Sequence, residues 1–118
     1  MSDAAQLWYN PSCSKSRKAL ALLRERGLQP EVLQYLESPP DRETIKHVVR
    51  LINGSVRDLM RKKEAPYLEL GLDAPGLSDD ALIDAMLAHP ILIQRPVLIQ
   101  GDWAVIGRPP ERVLRIFD

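Results

Sequence analysis

The sequence predicts a mixed α/β fold built on a four-stranded β-sheet, in which a β-α-β unit and a β-β-α unit flank a helical insertion. Two observations carry this prediction. A short strand, an amphipathic helix and a second strand follow one another within about thirty residues, and two apolar runs separated by a turn precede a last helix. The chain has 118 residues, 45 % of them hydrophobic and 27 % charged, as is typical of a globular domain. We therefore expect a single domain over residues 1–118, with the helical insertion at about 41–90.

The first two strands are predicted near the N-terminus. Leu7–Tyr9 is a short apolar and aromatic run typical of a buried strand, and Asn10–Ser12 ends it with turn-forming residues. From Ser14 the apolar residues recur on one face of a helix, which ends before Gly27. Residues 31–36 contain apolar and aromatic side chains and predict a second strand. Because a helix connects the two strands, we expect them to be parallel.

The insertion is predicted to consist of helices. Apolar residues recur at spacings of three and four from Ile45 to Ile52, and Asp41 precedes them as a helix cap. The segment Ser55–Asp58 fits a capping box for a short helix. Residues 64–77 contain two Pro and two Gly and predict a long loop, and a further helix begins at Ser78.

The last part of the chain predicts a hairpin and a helix. Val97–Ile99 and Trp103–Ile106 flank a turn at Gln100–Asp102, and Pro109–Pro110 opens a final helix. This order of elements is the thioredoxin-like architecture, in which a cis proline typically precedes the third strand beside the active cysteine. We therefore expect a cis peptide bond between Arg95 and Pro96.

Composition and motifs exclude several kinds of function. The formal net charge is +0, so no overall field attracts nucleic acid or an anionic membrane, and we expect neither as a partner. Met1–Gln6 lacks the basic start and long apolar stretch of a signal peptide, which favours a cytoplasmic location. A single cysteine excludes an internal disulfide and a multi-cysteine zinc site. Neither His47 nor His89 has a partner at ligand spacing, so we expect no metal.

Cys13 is the candidate nucleophile. It lies between the end of a strand and the start of a helix, where free backbone N–H groups and the positive helix end favour a thiolate. Lys15 and Arg17 add positive charge nearby. Such surroundings lower the pKa of a thiol from about 8.5 to roughly 3.5–7.5. A free cysteine is often only a small core residue, but the turn at Asn10–Ser12 and the basic helix start favour a reactive thiol.

Five segments recur in order, at compatible spacings, in a known family. They are Tyr9–Arg17, Tyr35–Pro40, Ser55–Lys62, His89–Pro96 and Gly107–Pro109. Over nearly its whole length the chain resembles the glutaredoxin-coupled arsenate reductases of the ArsC type. The resemblance implies a thioredoxin-like oxidoreductase of arsenic resistance that reduces arsenate to arsenite, with glutathione as co-substrate, glutaredoxin as partner and no bound cofactor. We expect it to act as a monomer.

The resemblance also implies the site residues, with the nucleophile at Cys13. Three arginines of the family hold the oxyanion and the thiol–arsenic adduct, because a guanidinium group donates paired hydrogen bonds and keeps its charge. Ser16 and the backbone N–H groups after the cysteine complete an anion cradle at the helix start. The expected oxyanion ligands are therefore Arg61, Arg95, Arg108 and Ser16. Asn10 and Pro96 are expected to shape the site.

The sequence departs from the family pattern at one position of the site, and two other functions are compatible with it. Many family members carry His directly before the Asn-Pro pair, where this chain has Tyr9, so thiolate stabilisation here must depend on the helix start and the arginines. A glutathione-dependent thiol reductase or transferase acting on another substrate would use the same fold and thiolate. A non-enzymatic Spx-type regulator that binds RNA polymerase is the other alternative. Redox-sensing members of that group use a Cys-x-x-Cys switch, whose second position is Ser16 here.

Overall fold

A computed structural model describes residues 4–118 of the chain. The described residues divide into two compact units, one formed by residues 4–38 and 95–118 and the other by residues 39–94. We call them the sheet unit and the helical unit. The prediction that Met1–Gln6 is not a signal peptide falls partly on Met1–Asp3, which lies outside the described residues.

The sheet unit contains a four-stranded mixed sheet with the strand order β2-β1-β3-β4. Its elements are β1 (Gln6–Trp8), α1 (Ser14–Glu25), β2 (Glu31–Leu33), β3 (Val97–Gln100), β4 (Trp103–Ile106) and a C-terminal 3₁₀ helix (Pro110–Phe117). Strand β1 runs parallel to β2 and antiparallel to β3, with Leu7 opposite Val32 on one side and Leu98 on the other. Strands β3 and β4 form the antiparallel hairpin. The predicted thioredoxin-like order of elements is confirmed.

Helix α1 packs on one face of this sheet. Its apolar stripe and the C-terminal 3₁₀ helix enclose a cluster of buried residues, namely Ala5, Leu7, Ala19, Leu20, Leu23, Leu98 and Val113. Burying a leucine of this kind contributes about 1.5–3 kcal/mol. A surface ion pair between Lys18 and Glu111, with Nζ and Oε2 3.2 Å apart, links α1 to the 3₁₀ helix. This packing fixes the direction of α1, and therefore the place of its first turn.

The helical unit contains three α-helices and two 3₁₀ helices. They are α2 (Arg42–Leu51), a 3₁₀ helix (Val56–Leu59), α3 (Ala65–Glu69), α4 (Asp79–Ala88) and a 3₁₀ helix (Pro90–Leu92). The predicted caps form as expected: the Asp41 carboxylate accepts from Thr44 N–H at 2.8 Å, and the Ser78 hydroxyl accepts from Ala81 N–H at 3.1 Å. Within residues 4–118 no helix is both long and apolar enough to cross a membrane.

Three local predictions were wrong. Strand β2 ends at Leu33 because its partner β1 ends at Trp8, so residues 34–36 have no strand beside them. The expected loop at 64–77 contains α3, and the Arg57 guanidinium holds the rest of that loop by donating to the carbonyl oxygens of Leu72 and Ala74. The final helix is 3₁₀ rather than α.

Candidate active site

Cys13 lies at the N-cap of α1, at the end of a tight turn. Its N–H donates to the Asn10 carbonyl at 2.9 Å, and the Asn10 side-chain oxygen accepts from Ser12 N–H at 2.9 Å. Asn10 is buried, and its side chain stabilises the turn between β1 and α1 by this hydrogen bond. The Cys13 thiol is partly exposed and lies beside the first N–H groups of the helix.

Ser16 is buried and contacts the Cys13 thiol. Its side chain is 0 % exposed, and its hydroxyl accepts from Asn10 N–H at 3.4 Å. The same hydroxyl, together with the Ser16 backbone N–H, hydrogen-bonds to the Cys13 sulfur. A hydroxyl group can accept one hydrogen bond and donate another, so the Ser16 hydroxyl can accept from Asn10 N–H and donate to the sulfur at the same time. These contacts make Ser16 a stabiliser of the thiolate, and its predicted role as an oxyanion ligand stays a prediction.

The pKa of Cys13 is lowered to about 7. Burial of the thiol raises this pKa, but hydrogen bonds to the sulfur from Ser16, from the Lys15 N–H and from the Arg95 side chain outweigh the burial. Lys15 thus acts through its backbone rather than through its charge. The Arg17 guanidinium instead donates to the Pro11 carbonyl at 2.7 Å and braces the turn before Cys13. This bracing role was not predicted, although an arginine in the first turn of a helix can reach back to the loop before it.

Arg95 and Arg108 are linked in the sheet unit. Arg95 is 8 % exposed and its side chain hydrogen-bonds to Cys13, while Arg108 Nη1 donates to the Arg95 carbonyl at 3.0 Å. The Arg95–Pro96 peptide bond, for which the sequence predicted a cis geometry, is cis, and so is Arg108–Pro109.

Gly107 lets the two arginine segments approach each other. A Cβ atom at Gly107 would lie 2.8 Å from Pro96 Cγ and 3.0 Å from a Val113 methyl group. The Gly107 N–H donates to the Pro96 carbonyl at 2.9 Å. The structure therefore brings Cys13 and Arg95 together and connects Arg108 to Arg95 through the main chain.

Arg61 lies in the helical unit, directly after the 3₁₀ helix Val56–Leu59. Its N–H donates to the Leu92 carbonyl at 2.7 Å, beside an antiparallel bridge between Met60 and Ile93. Its Nε donates to the Glu64 carboxylate at 3.2 Å. Arg61 is therefore an anchored side chain, and its role toward Cys13 stays a prediction. Among residues 4–118, no group of three or more His, Cys, Asp or Glu side chains is arranged to hold a metal ion.

The alkylation rate of Cys13 is expected to follow a titration with its midpoint near pH 7. A deprotonated thiol is the nucleophile, so the rate should rise with pH and level off above about pH 8. At pH 7 about half of Cys13 would be thiolate, against roughly 3 % of a free thiol. Iodoacetamide reaction measured from pH 5 to pH 10, with free glutathione as the reference thiol, gives the midpoint. A midpoint at or above that of glutathione would contradict the hydrogen-bonded thiolate.

Comparisons with known proteins agree on one family. The ArsC family model matches residues 8–116. Similar proteins include the uncharacterized protein YfgD of Escherichia coli K12, 46 % identical over 98 % of both chains. An arsenate reductase of Neisseria meningitidis serogroup A is 45 % identical over 92 % of this chain and 93 % of its own. The solved structure of an arsenate reductase from Vibrio cholerae has a TM-score of 0.93 and 45 % identity, covering 98 % of this chain and 99 % of the other. With a family match over most of its length and relatives this similar, the chain belongs to the ArsC family.

Proposed function

We propose that this protein is an arsenate reductase that reduces arsenate to arsenite through Cys13, with glutathione as co-substrate and glutaredoxin as partner. The observation that carries the proposal is a partly exposed thiol with a pKa of about 7, hydrogen-bonded to a buried arginine at a helix start. Relatives that carry the name arsenate reductase cover nearly the whole chain. We propose that the protein acts as a monomer in the cytoplasm, where glutathione is reduced.

Arginine side chains account for binding of the oxyanion in this proposal. Arsenate is a tetrahedral anion, and a guanidinium group donates two parallel hydrogen bonds to its oxygens. Arg95 already contacts the Cys13 sulfur, so an oxyanion on Arg95 lies next to the nucleophile. Arg108 uses Nη1 on the Arg95 carbonyl and keeps other N–H groups for the oxyanion. Arg61 is the third proposed ligand, by the resemblance of its segment to the family.

The first chemical step is nucleophilic attack by the Cys13 thiolate on arsenic. An S–As bond forms, an oxygen of arsenate leaves as water after protonation, and arsenic stays As(V). The arginines offset the negative charge that would otherwise repel the thiolate. A pKa of about 7 supplies the thiolate near neutral pH without a neighbouring histidine, which suits a chain with Tyr9 at that position.

Reduction needs a second thiol from another molecule, because the chain has a single cysteine. Glutathione thiolate attacks the Cys13 sulfur, and the S–As electron pair stays on arsenic, which leaves as As(III) arsenite. Two thiols have then supplied the two electrons, and Cys13 is held as a mixed disulfide with glutathione. Glutaredoxin thiolate attacks the glutathione sulfur and releases the Cys13 thiol for the next cycle.

Arsenite formation by the purified protein tests this function. We expect turnover only when glutathione and glutaredoxin are both present, with thioredoxin a poor substitute, and mass spectrometry during turnover should find glutathione on Cys13. Steady turnover with thioredoxin alone, or an obligatory disulfide between the Cys13 residues of two chains, would contradict the mechanism. Glutathione-dependent reduction of small disulfides with no arsenite formed would instead support the thiol reductase alternative.

A further inference from the structure

Gly107 follows β4 directly and lies between two close neighbours. A Cβ atom added to it would be 2.8 Å from Pro96 Cγ and 3.0 Å from Val113 Cγ1, whereas ordinary van der Waals contact begins at 3.4 Å. Gly107 is buried, and its φ lies outside the left-handed region that favours glycine. Gly27 is the opposite case, with a φ of 85° and nothing within 4 Å of an added Cβ. Glycine is therefore required at position 107 by the space around it rather than by the backbone conformation.

Both neighbours of Gly107 resist displacement. Pro96 Cγ belongs to a ring that is closed on its own backbone, so it cannot rotate away from an added atom. Val113 is 0 % exposed and belongs to the buried cluster that contains Leu7 and Leu98, where close packing leaves little room. Because Val113 limits how far Gly107 can move, we expect an added Cβ to push Pro96 out of place.

The contact between Pro96 and Gly107 continues the β3–β4 hairpin by one residue pair. The last ladder pair of the two strands is Val97 with Ile106. Beyond it the Gly107 N–H donates to the Pro96 carbonyl at 2.9 Å, but proline has no N–H to donate in return. The packing of the proline ring on Gly107 therefore supplements a single hydrogen bond. A displacement of Pro96 reaches Arg95 through the peptide bond that joins them.

Arg95 connects this packing to the thiol. Its side chain is buried and hydrogen-bonds to the Cys13 sulfur. A hydrogen bond weakens as its distance and angle depart from the preferred geometry, so a small shift of Arg95 is enough to weaken this one. The other stabilising hydrogen bonds to the sulfur come from Lys15 and Ser16, which belong to α1. A shift of Arg95 should therefore reduce the stabilisation of the thiolate without abolishing it.

We propose that Gly107 is a positioning residue for the chemistry of Cys13: its missing side chain lets Pro96 pack against the end of β4, and this packing holds the Arg95 guanidinium on the sulfur. Wherever it concerns arsenate, the inference rests on the proposed function, because there Arg95 must act on the nucleophile and the oxyanion. The contact with the thiol can be tested without arsenate. A glycine that served only the stability of the fold would leave the reactivity of the thiol unchanged.

The alkylation midpoint of Gly107→Ala tests the proposal. With a weaker contact from Arg95, the midpoint of the reaction of Cys13 with iodoacetamide should rise by about half to one pH unit. The kcat/KM for arsenate at pH 6.5 should fall about tenfold. Gly76→Ala is the matched control and should behave as the wild type, because its added Cβ meets nothing within 4 Å and its φ is not left-handed. In an Arg95→Ala background, Gly107→Ala should shift the midpoint no further.

Val113→Ala separates positioning from a general loosening of the core. It removes buried methyl groups beside Gly107 and should lower the melting temperature, but it adds no atom against Pro96, so its midpoint should equal that of the wild type. The double variant Gly107→Ala/Val113→Ala gives Gly107 some room to move, and its midpoint should lie between those of the two single variants. If Gly107→Ala does not fold, the double variant replaces it, with Val113→Ala as the reference, and should still have the higher midpoint.

Three results would overturn the inference. An unchanged midpoint in Gly107→Ala, or in the double variant that replaces it, would show that this packing does not hold Arg95 on the sulfur. An equal rise in Val113→Ala would make Gly107 only a core residue, and an undiminished rise in the Arg95→Ala background would show another route. If the wild type forms no arsenite, the proposed function fails, and the midpoints still decide the inference. If the wild type turns over and the midpoint of Gly107→Ala is unchanged, the inference alone fails.

Discussion

Replacement of Cys13 by serine is expected to reduce arsenite formation to background, a loss of at least about a thousandfold. A serine hydroxyl stays protonated at neutral pH, so the hydrogen bonds that stabilise the thiolate have no anion to act on. The fold should persist, because the side chain is partly exposed, lies outside the buried cluster around Leu7 and changes little in volume. Arsenite formation with glutathione and glutaredoxin, beside the melting temperature, measures both expectations.

Ser14→Ala is the matched control for Cys13→Ser. Ser14 is the next residue along the chain and is exposed, so its variant should keep wild-type turnover. Arsenite formation by Cys13→Ser above one-hundredth of the wild-type rate would show that the thiol is not the nucleophile. Loss of activity in both variants with lower melting temperatures would indicate a damaged helix start instead.

Periodicity predicted the fold wherever local sequence decides the structure. The apolar stripe of α1 predicted that helix, and the capping residues Asp41 and Ser78 predicted where α2 and α4 begin. These signals are local, so they can be recognised without knowing the tertiary contacts. Strand β2 was predicted too long because the length of an edge strand depends on its partner, which the local sequence does not show. Helix α3 was missed because its Pro66 was interpreted as a loop residue, although proline is common in the first turn of a helix.

The place of Cys13 at a helix start was predicted, but the contacts of its thiol were not. The turn-forming residues Asn10–Ser12 directly precede Cys13, so the local sequence is enough to predict that a helix begins there. The causes of the lowered pKa depend on side-chain directions, which spacing does not specify: Ser16 faces the sulfur, while Arg17 reaches the preceding turn. The buried Arg95 is adjacent to the thiol only because β3 pairs with β1, a contact between residues far apart in sequence.

Replacement of Arg95 by alanine is expected to impair both the nucleophile and the oxyanion site. Its hydrogen bond to the sulfur favours the thiolate, so without it the pKa of Cys13 should rise toward the ordinary thiol value. One charge-assisted hydrogen bond to the oxyanion contributes about 1.5–3 kcal/mol, so kcat/KM should fall about tenfold to 150-fold. The loss should be larger at pH 6.5 than at pH 9, because a thiol with a raised pKa regains its thiolate as pH increases.

Two comparison variants make the Arg95 result specific. Arg95→Lys keeps the charge in the buried position but loses the planar fork, so it should restore only part of kcat/KM and keep the melting temperature close to that of the wild type. Arg112→Ala removes an exposed arginine and should leave both kcat/KM and the alkylation midpoint unchanged. If Arg95→Ala lowers kcat/KM equally at pH 6.5 and pH 9 and leaves the alkylation midpoint unchanged, Arg95 binds the oxyanion without stabilising the thiolate. Cys13 would then owe its lowered pKa to Ser16 and the backbone N–H of Lys15, and Ser16→Ala would shift the midpoint that Arg95→Ala did not.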